Sequence, residues 1–277
     1  MSRITILAAC AFVASGCTPV PNVPAAPTLA YLPALSGDYF SQPSRTTGRT
    51  YHIYVRLPQD YAADPARRYP VVYLLDGDSL FPILGATHLF LTLDDKLPEA
   101  IVVGIAYGGF GPVNKRGIDY RERSTSEAPG EAGAAAFLSF LKGELIPAVE
   151  TRYRADPARR ILFGQSLGGR FAIHSAFVEP DMFWGRIASN PALTLTYSYE
   201  GEPARAVRSD LALIVTSGTN DRPELRTGTS AWIERWKPRR DLPWRLHAVS
   251  IAGGTHAANS TDAYRAGMRL LFKPPER

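Results

Sequence analysis

The pentapeptide Gly164-Gln165-Ser166-Leu167-Gly168 sets a serine between two glycines, a spacing suited to covalent chemistry on a carbonyl carbon. A hydroxyl is a weak nucleophile, so Ser166 needs a base within hydrogen-bond reach and an acid that orients the base. Charge developing on the attacked carbonyl oxygen also needs backbone amides held around it in advance. The flanks fit this chemistry: residues 161–163 are Ile-Leu-Phe, an apolar run suited to a buried strand, and from Gly169 to about Val178 apolar residues recur at helical spacing. A sharp strand-to-helix turn lifts the hydroxyl clear of the sheet. Flanking side chains would collide there, so the pattern predicts that Gly164 and Gly168 fill positions where only a hydrogen fits. The helix after the turn would aim its N-terminal amides at negative charge forming beside Ser166.

Such a site must be carried by the elements around it. Residues 51–57 alternate as a half-exposed strand, while 71–75 and 100–105 are apolar runs of the kind found in central parallel strands. Residues 107–130 are rich in glycine, proline and charge and read as a long loop. Residues 131–151 carry Phe137, Leu138, Leu141, Leu145 and Ile146 as one helical stripe. Beyond the serine, strands are expected at 186–189, 211–216 and 245–251, and helices at 229–236 and 261–272. The alternation predicts an α/β architecture, a mainly parallel central sheet flanked by helices on both faces. Its ligand site then lies outside the carboxyl ends of the strands. No repeat or internal linker is visible, so residues 36–277 form one domain.

Where a nucleophilic serine sits on such a turn, the acid and then the base follow it along the chain. Of five histidines, only His247 and His256 lie well beyond Ser166. His247 falls inside the 245–251 strand pattern, as a packed or edge residue, and His174 reads as packing on the helix after Ser166. His52 and His88 precede the serine. His256, in Gly253-Gly254-Thr255-His256 between the last strand and the last helix, is therefore the expected base. The loop after residues 211–216 offers two acids. Asp221 is preferred because it is nearer the strand end, and Glu224 is the alternative. The expected oxyanion amides are those of Leu167 and of Asp78, with Gly77 turning the backbone towards the serine.

With 277 residues, 45% apolar and 21% charged, the chain can bury a sizeable core, and its formal net charge of +5 reads as a generic basic surface. No lysine/arginine run is interleaved with aromatics, so nucleic acid is not an expected partner. Neither H-E-x-x-H nor clustered histidines occur, so no metal or cofactor is expected. Residues 1–16 hold Arg3, an apolar stretch too short to span a bilayer, and small residues before Cys17, the pattern of a signal peptide. Val13-Ala14-Ser15-Gly16-Cys17 resembles a bacterial lipobox, whose cysteine becomes the lipidated first residue. Cys10 leaves with the leader, and Cys17 then has no intramolecular partner. Residues 17–35 would be the lipidated N-terminus and a proline-rich tether, carrying Pro19, Pro21, Pro24, Pro27 and Pro33. The expected location is the bacterial cell envelope, as a periplasm-facing lipoprotein held to the membrane by its N-terminal lipid. Thr18 after the cysteine favours the outer membrane, and a soluble secreted form is the alternative.

Arg68-Tyr69-Pro70-Val71-Val72-Tyr73-Leu74-Leu75-Asp76-Gly77-Asp78 resembles the oxyanion-loop strand of the putative-esterase family, which includes esterase D, siderophore (enterochelin-type) esterases and the antigen 85 mycolyltransferases. Gly164-Gln165-Ser166-Leu167-Gly168-Gly169 resembles its nucleophile turn, and Glu144-Leu145-Ile146-Pro147 with Tyr153-Arg154 resembles the helix end before it. Gly218 to Asp221 and Gly253 to His256 fall where the family keeps its acid and base, whereas Arg116-Gly117-Ile118-Asp119-Tyr120 matches its arginine-aspartate loop only in part. The resemblance covers roughly residues 51–272. It implies an α/β-hydrolase fold and cofactor-free serine hydrolysis of a small-molecule carboxylic ester, with a siderophore-type ester as the named candidate. It also leaves open an acyltransferase working through the same acyl-enzyme. A non-catalytic envelope-binding lipoprotein is the third reading, against which the intact Ser166, Asp221 and His256 speak. Trp232 and Trp236, four apart, read as core packing.

Overall fold

The computed structural model describes residues 32–123, 132–194 and 201–273. The leader 1–16, Cys17 and most of the tether lie outside these described residues. Among the described residues eight strands form one sheet: β1 (Gly37–Pro43), β2 (Thr50–Arg56), β3 (Tyr69–Leu74), β4 (Ile101–Ala106), β5 (Ala155–Gln165), β6 (Gly185–Ser189), β7 (Ala212–Gly218) and β8 (Arg245–Ile251). Their order across the sheet is β1-β2-β4-β3-β5-β6-β7-β8. The first two strands pair antiparallel, and from β4 to β8 every pair is parallel. The helices are α1 (Gly77–Leu93), α2 (Arg116–Asp119), α3 (Ala134–Phe140), α4 (Ile146–Arg152), α5 (Leu167–Val178), α6 (Pro223–Trp236) and α7 (Ser260–Phe272).

The apolar runs become central strands because both of their faces are covered. In β3 the two-residue alternation sends Val71 and Tyr73 into one core and Val72 and Leu74 into the other. On the first face Phe137 and Phe140 of α3, Phe171 and Phe177 of α5, and Trp232 and Trp236 of α6 fill the core. On the second, Phe81 and Leu84 of α1 pack with Tyr264 and Met268 of α7. Trp232, Trp236 and Trp244 surround Phe177 at ring-centroid distances of 6.3, 4.9 and 5.1 Å, so the tryptophan pair packs in the core. Trp184 lies on the opposite face against Phe272.

Several boundaries differ from the sequence reading, each for a local reason. Residues 77–93 carry no regular pattern yet form α1, because apolar side chains occur all round it: Leu80, Phe81 and Leu84 are buried while Ile83, Phe90 and Leu93 are exposed. Helix α6 begins at Pro223 rather than Thr229, with the proline in the first turn, where its missing N–H costs nothing. The helix expected over 131–151 is broken by a wide π turn at Leu141–Leu145, where the Ile146 N–H reaches back to the Leu141 carbonyl and Pro147 then has no N–H to resume the regular ladder.

Candidate active site

Strand β5 delivers Ser166, whose backbone angles, φ 57° and ψ −116°, belong to no regular element and cost about 1–3 kcal/mol for a non-glycine residue. The turn is held from outside. The Ser166 N–H donates to the Ser189 carbonyl at 2.9 Å, and the Ser166 carbonyl accepts from the N–H groups of Arg170 and Ala192 at 3.0 and 2.9 Å. At Gly164 a Cβ would stand 2.1 Å from the Gly168 carbonyl oxygen, so only glycine fits. At Gly168 the expectation is too strict. A Cβ there would meet Asp76 Oδ2 at 3.2 Å, a tight contact with a side chain rather than a collision.

His256 stands in the loop between β8 and α7. Its Nε2 lies 2.9 Å from Ser166 Oγ and its Nδ1 lies 2.8 Å from Asp221 Oδ1. Asp221 is 5% exposed, and its Oδ1 also accepts the Arg222 N–H at 2.6 Å. A carboxylate only accepts hydrogen bonds, so the proton belongs on Nδ1, which leaves Nε2 free to take the serine proton. Glu224, the alternative acid, is exposed in the first turn of α6, and among the described residues no hydrogen bond joins it to His256. The other histidines stand elsewhere. His174 is buried on α5, and His247 is half-buried on the edge strand β8. His52 bonds Tyr39, and His88 is sealed between Tyr264 Oη and the Pro98 carbonyl, where burial pushes its pKa down to about 3.

Leu167 and Asp78 occupy the first turns of α5 and α1, which begin at the carboxyl ends of the neighbouring parallel strands β5 and β3. First-turn N–H groups have no partner within their helix, so both helices present free amides at this end of the sheet. The turn into α1 is made by Asp76, at φ 56° and ψ 42°, and not by Gly77 as the sequence suggests. Gly77 is needed for a different reason: a Cβ would lie 2.7 Å from the Ile105 amide nitrogen of β4. The Asp78 carboxylate accepts the N–H groups of Tyr107, Gly108 and Gly109 at 2.7, 2.9 and 2.8 Å, tying α1 to the loop after β4.

Sequence reasoning assigned Asp76 and Arg116 no role in the site. Arg116 grips Asp76 with two bonds, Nε–Oδ1 at 2.6 Å and Nη2–Oδ2 at 3.0 Å. Burial pushes the Asp76 carboxyl up, and the guanidinium works against that shift. Asp119, three residues on, is buried among Tyr51 Oη, Tyr107 Oη and the Arg49 guanidinium, each within 3.0 Å. The signal was the partial Arg-x-x-Asp match, whose ion-pair partners lie far away in sequence. Ser166, His256, Asp78, Phe110, Arg116 and Arg222 help line one cavity of about 440 Å³. Among the described residues no group of three or more His, Cys, Asp or Glu side chains could hold a metal ion.

A protein-family model described as Putative esterase matches residues 44–266. The chain belongs to the Putative esterase family. Among similar curated proteins, the ferri-bacillibactin esterase BesA of Bacillus subtilis is 34% identical over 167 residues, which are 54% of this chain and 56% of that protein. The siderophore triacetylfusarinine C esterase of Aspergillus fumigatus is 33% identical over 159 residues, 53% of this chain and 52% of that one. The chain thus spans about half the length of the curated relatives it matches. Among solved structures, a BES protein from Bacillus cereus superposes with a TM-score of 0.74 at 24% identity, over 84% of this chain and 94% of that one. The siderophore hydrolase EstB from Aspergillus nidulans gives 0.70 at 22% identity, over 94% and 99%. These likenesses extend the α/β-hydrolase fold of the esterase family to this chain.

Proposed function

We propose that this chain is a serine carboxylic-ester hydrolase acting on siderophore-type esters. The observation that carries the reading is the relay Ser166–His256–Asp221, with contacts of 2.9 and 2.8 Å, at the carboxyl ends of the strands of an esterase-family sheet. Ser166 Oγ attacks the ester carbonyl carbon while His256 Nε2 takes its proton. The Asp221 carboxylate holds the imidazole and stabilises its charged form. The Leu167 and Asp78 amides receive the oxyanion. Collapse breaks the ester bond, and His256 returns the proton to the departing alcohol. Water, deprotonated by the same nitrogen, then releases the acid from Ser166.

The names of the relatives support the substrate class: ferri-bacillibactin and triacetylfusarinine C for the two above, and apo-salmochelin for an esterase of Escherichia coli that is 29% identical over 54% of this chain and 49% of that protein. Arg222 and Phe110, both exposed and both lining the cavity, suit an anionic ester with an aromatic part. Hydrolysis of those three compounds should proceed with higher kcat/KM than that of p-nitrophenyl acetate or butyrate. Simple esters cleaved better than all three would reject the substrate class. Turnover of none would reject the hydrolase, and transfer to an added alcohol in excess of hydrolysis would make the chain an acyltransferase.

The lipobox-like Val13–Cys17 segment supports acylation of Cys17 and a periplasm-facing place in the bacterial envelope, with the folded part on a proline-rich tether. Palmitate labelling of cells expressing the chain should disappear with Cys17→Ser; labelling that persists would refute the anchor.

A further inference from the structure

The base and the nucleophile come from opposite sides of two intervening strands. Ser166 stands at the end of β5 and His256 follows β8, with β6 and β7 between them. Three strand spacings of about 4.8 Å separate β5 from β8, roughly 14 Å. The loop holding His256 must therefore cross the ends of β7 and β6 to bring Nε2 within 2.9 Å of Ser166 Oγ. A crossing segment of this kind has no ladder of its own, and its backbone needs partners from below.

Asn190 stands at that crossing. It follows the last residue of β6, is 1% exposed, and holds φ at 41°, left-handed backbone that a non-glycine residue rarely adopts. Its own N–H continues the ladder to the Thr216 carbonyl at 2.9 Å, so its backbone is fixed to the acid-bearing strand β7. From there the side-chain amide points upward. Nδ2 lies 2.8 Å from the Thr255 carbonyl oxygen, 3.0 Å from that of His256 and 3.2 Å from Asn259 Oδ1. Its Oδ1 accepts the Gly218 N–H at 3.0 Å and Asn259 Nδ2 at 3.2 Å. The Gln165 side chain, next to the serine, donates to the same His256 carbonyl. The backbone of the turn after β7 meets the base loop at Gly254, whose carbonyl accepts the Asn220 N–H at 2.8 Å. Asn190 thus ties the end of β6 to the Thr255 and His256 carbonyls, beside the Gln165 contact from β5.

We infer that Asn190 is a positioning residue of the relay: its side-chain amide holds the His256 backbone over β6 and so sets the imidazole between Ser166 and Asp221. The inference rests on the hydrolase reading for its kinetic consequence but not for its geometry. Only a polar side chain with both a donor and an acceptor can bridge the carbonyls above and the Gly218 N–H below, and asparagine also tolerates left-handed backbone.

Asn190→Gly separates the two roles of the residue, because glycine accepts φ 41° and removes only the amide. In the full chain, kcat should fall about 10- to 100-fold with KM within about 2-fold, as a small misplacement of a catalytic group demands. Asn190→Asp keeps the acceptor for Gly218 but faces a carboxylate towards two carbonyl oxygens, and should lose at least as much. A second readout needs no turnover: the downfield proton resonance of the His256 Nδ1–H···Asp221 bond should be present in the parent chain and broadened or lost in Asn190→Gly. Unchanged kcat together with an unchanged resonance would overturn the inference, as would a loss expressed wholly in KM. A parent chain that hydrolyses no ester but shows the resonance, lost in Asn190→Gly, would sink the hydrolase reading and leave the positioning role standing.

Discussion

Ser166→Ala should reduce ester hydrolysis by several decades, towards the roughly 10⁶-fold loss found when the nucleophile of a serine relay is removed. The effect is this large because His256 has no second hydroxyl to activate: among the described residues, Ser166 Oγ is its only hydrogen-bond partner on Nε2. Alanine keeps the Cβ, so the strained turn at φ 57° is unchanged and the three backbone bonds that brace it remain. Stability should therefore stay within about 1.5 kcal/mol of the parent by urea unfolding, since the hydrogen bond lost is the part-buried one to His256. Loss of turnover without loss of stability would assign the chemistry to the hydroxyl. Parent-level turnover in Ser166→Ala would remove Ser166 from the mechanism.

Asp221→Asn should cost about 10⁴-fold in kcat, while Glu224→Gln should leave it within about 2-fold. The size of the first effect comes from the tautomer. An asparagine amide would donate to His256 Nδ1, drive the ring proton to Nε2, and face an N–H rather than a lone pair towards Ser166; the same exchange costs about 10⁴-fold in a serine protease. Asp221 is 5% exposed, so a neutral amide in its place also leaves the imidazolium that forms on His256 without its buried counter-charge. Glu224 is exposed, and its replacement removes no contact to the relay. Measuring both variants on one ester decides the acid. Equal losses in the two, or a larger loss in Glu224→Gln, would overturn the assignment of Asp221.

Central strands were legible in the sequence because double-sided burial writes itself as continuous apolar runs, as in Val71-Val72-Tyr73-Leu74. The serine turn was legible because a sharp strand-to-helix junction constrains nearby residues in a five-residue window, Gly164 most severely. The strand β1, Gly-Asp-Tyr-Phe-Ser-Gln-Pro, escaped notice: it is an edge strand with mostly part-exposed side chains and no clean alternation. Asp76, Arg116 and Asn190 escaped it for a different reason. Each acts through partners 28 to 69 positions away, such as Gly218 and Asn259 for Asn190 and Arg116 for Asp76, and no local pattern encodes a contact of that range.

The aromatic knot around Phe177 joins the elements that carry the relay at their far ends. Phe177 lies on the helix that follows Ser166, Trp232 and Trp236 lie on the helix that opens just after Asp221, and Trp244 immediately precedes the strand that leads to His256. Three of the four tryptophans are therefore gathered in one buried cluster. Their intrinsic fluorescence is a built-in gauge of how firmly those three elements hold together. An emission band that shifts to the red before secondary structure melts would report the relay coming apart while the rest of the sheet still stands.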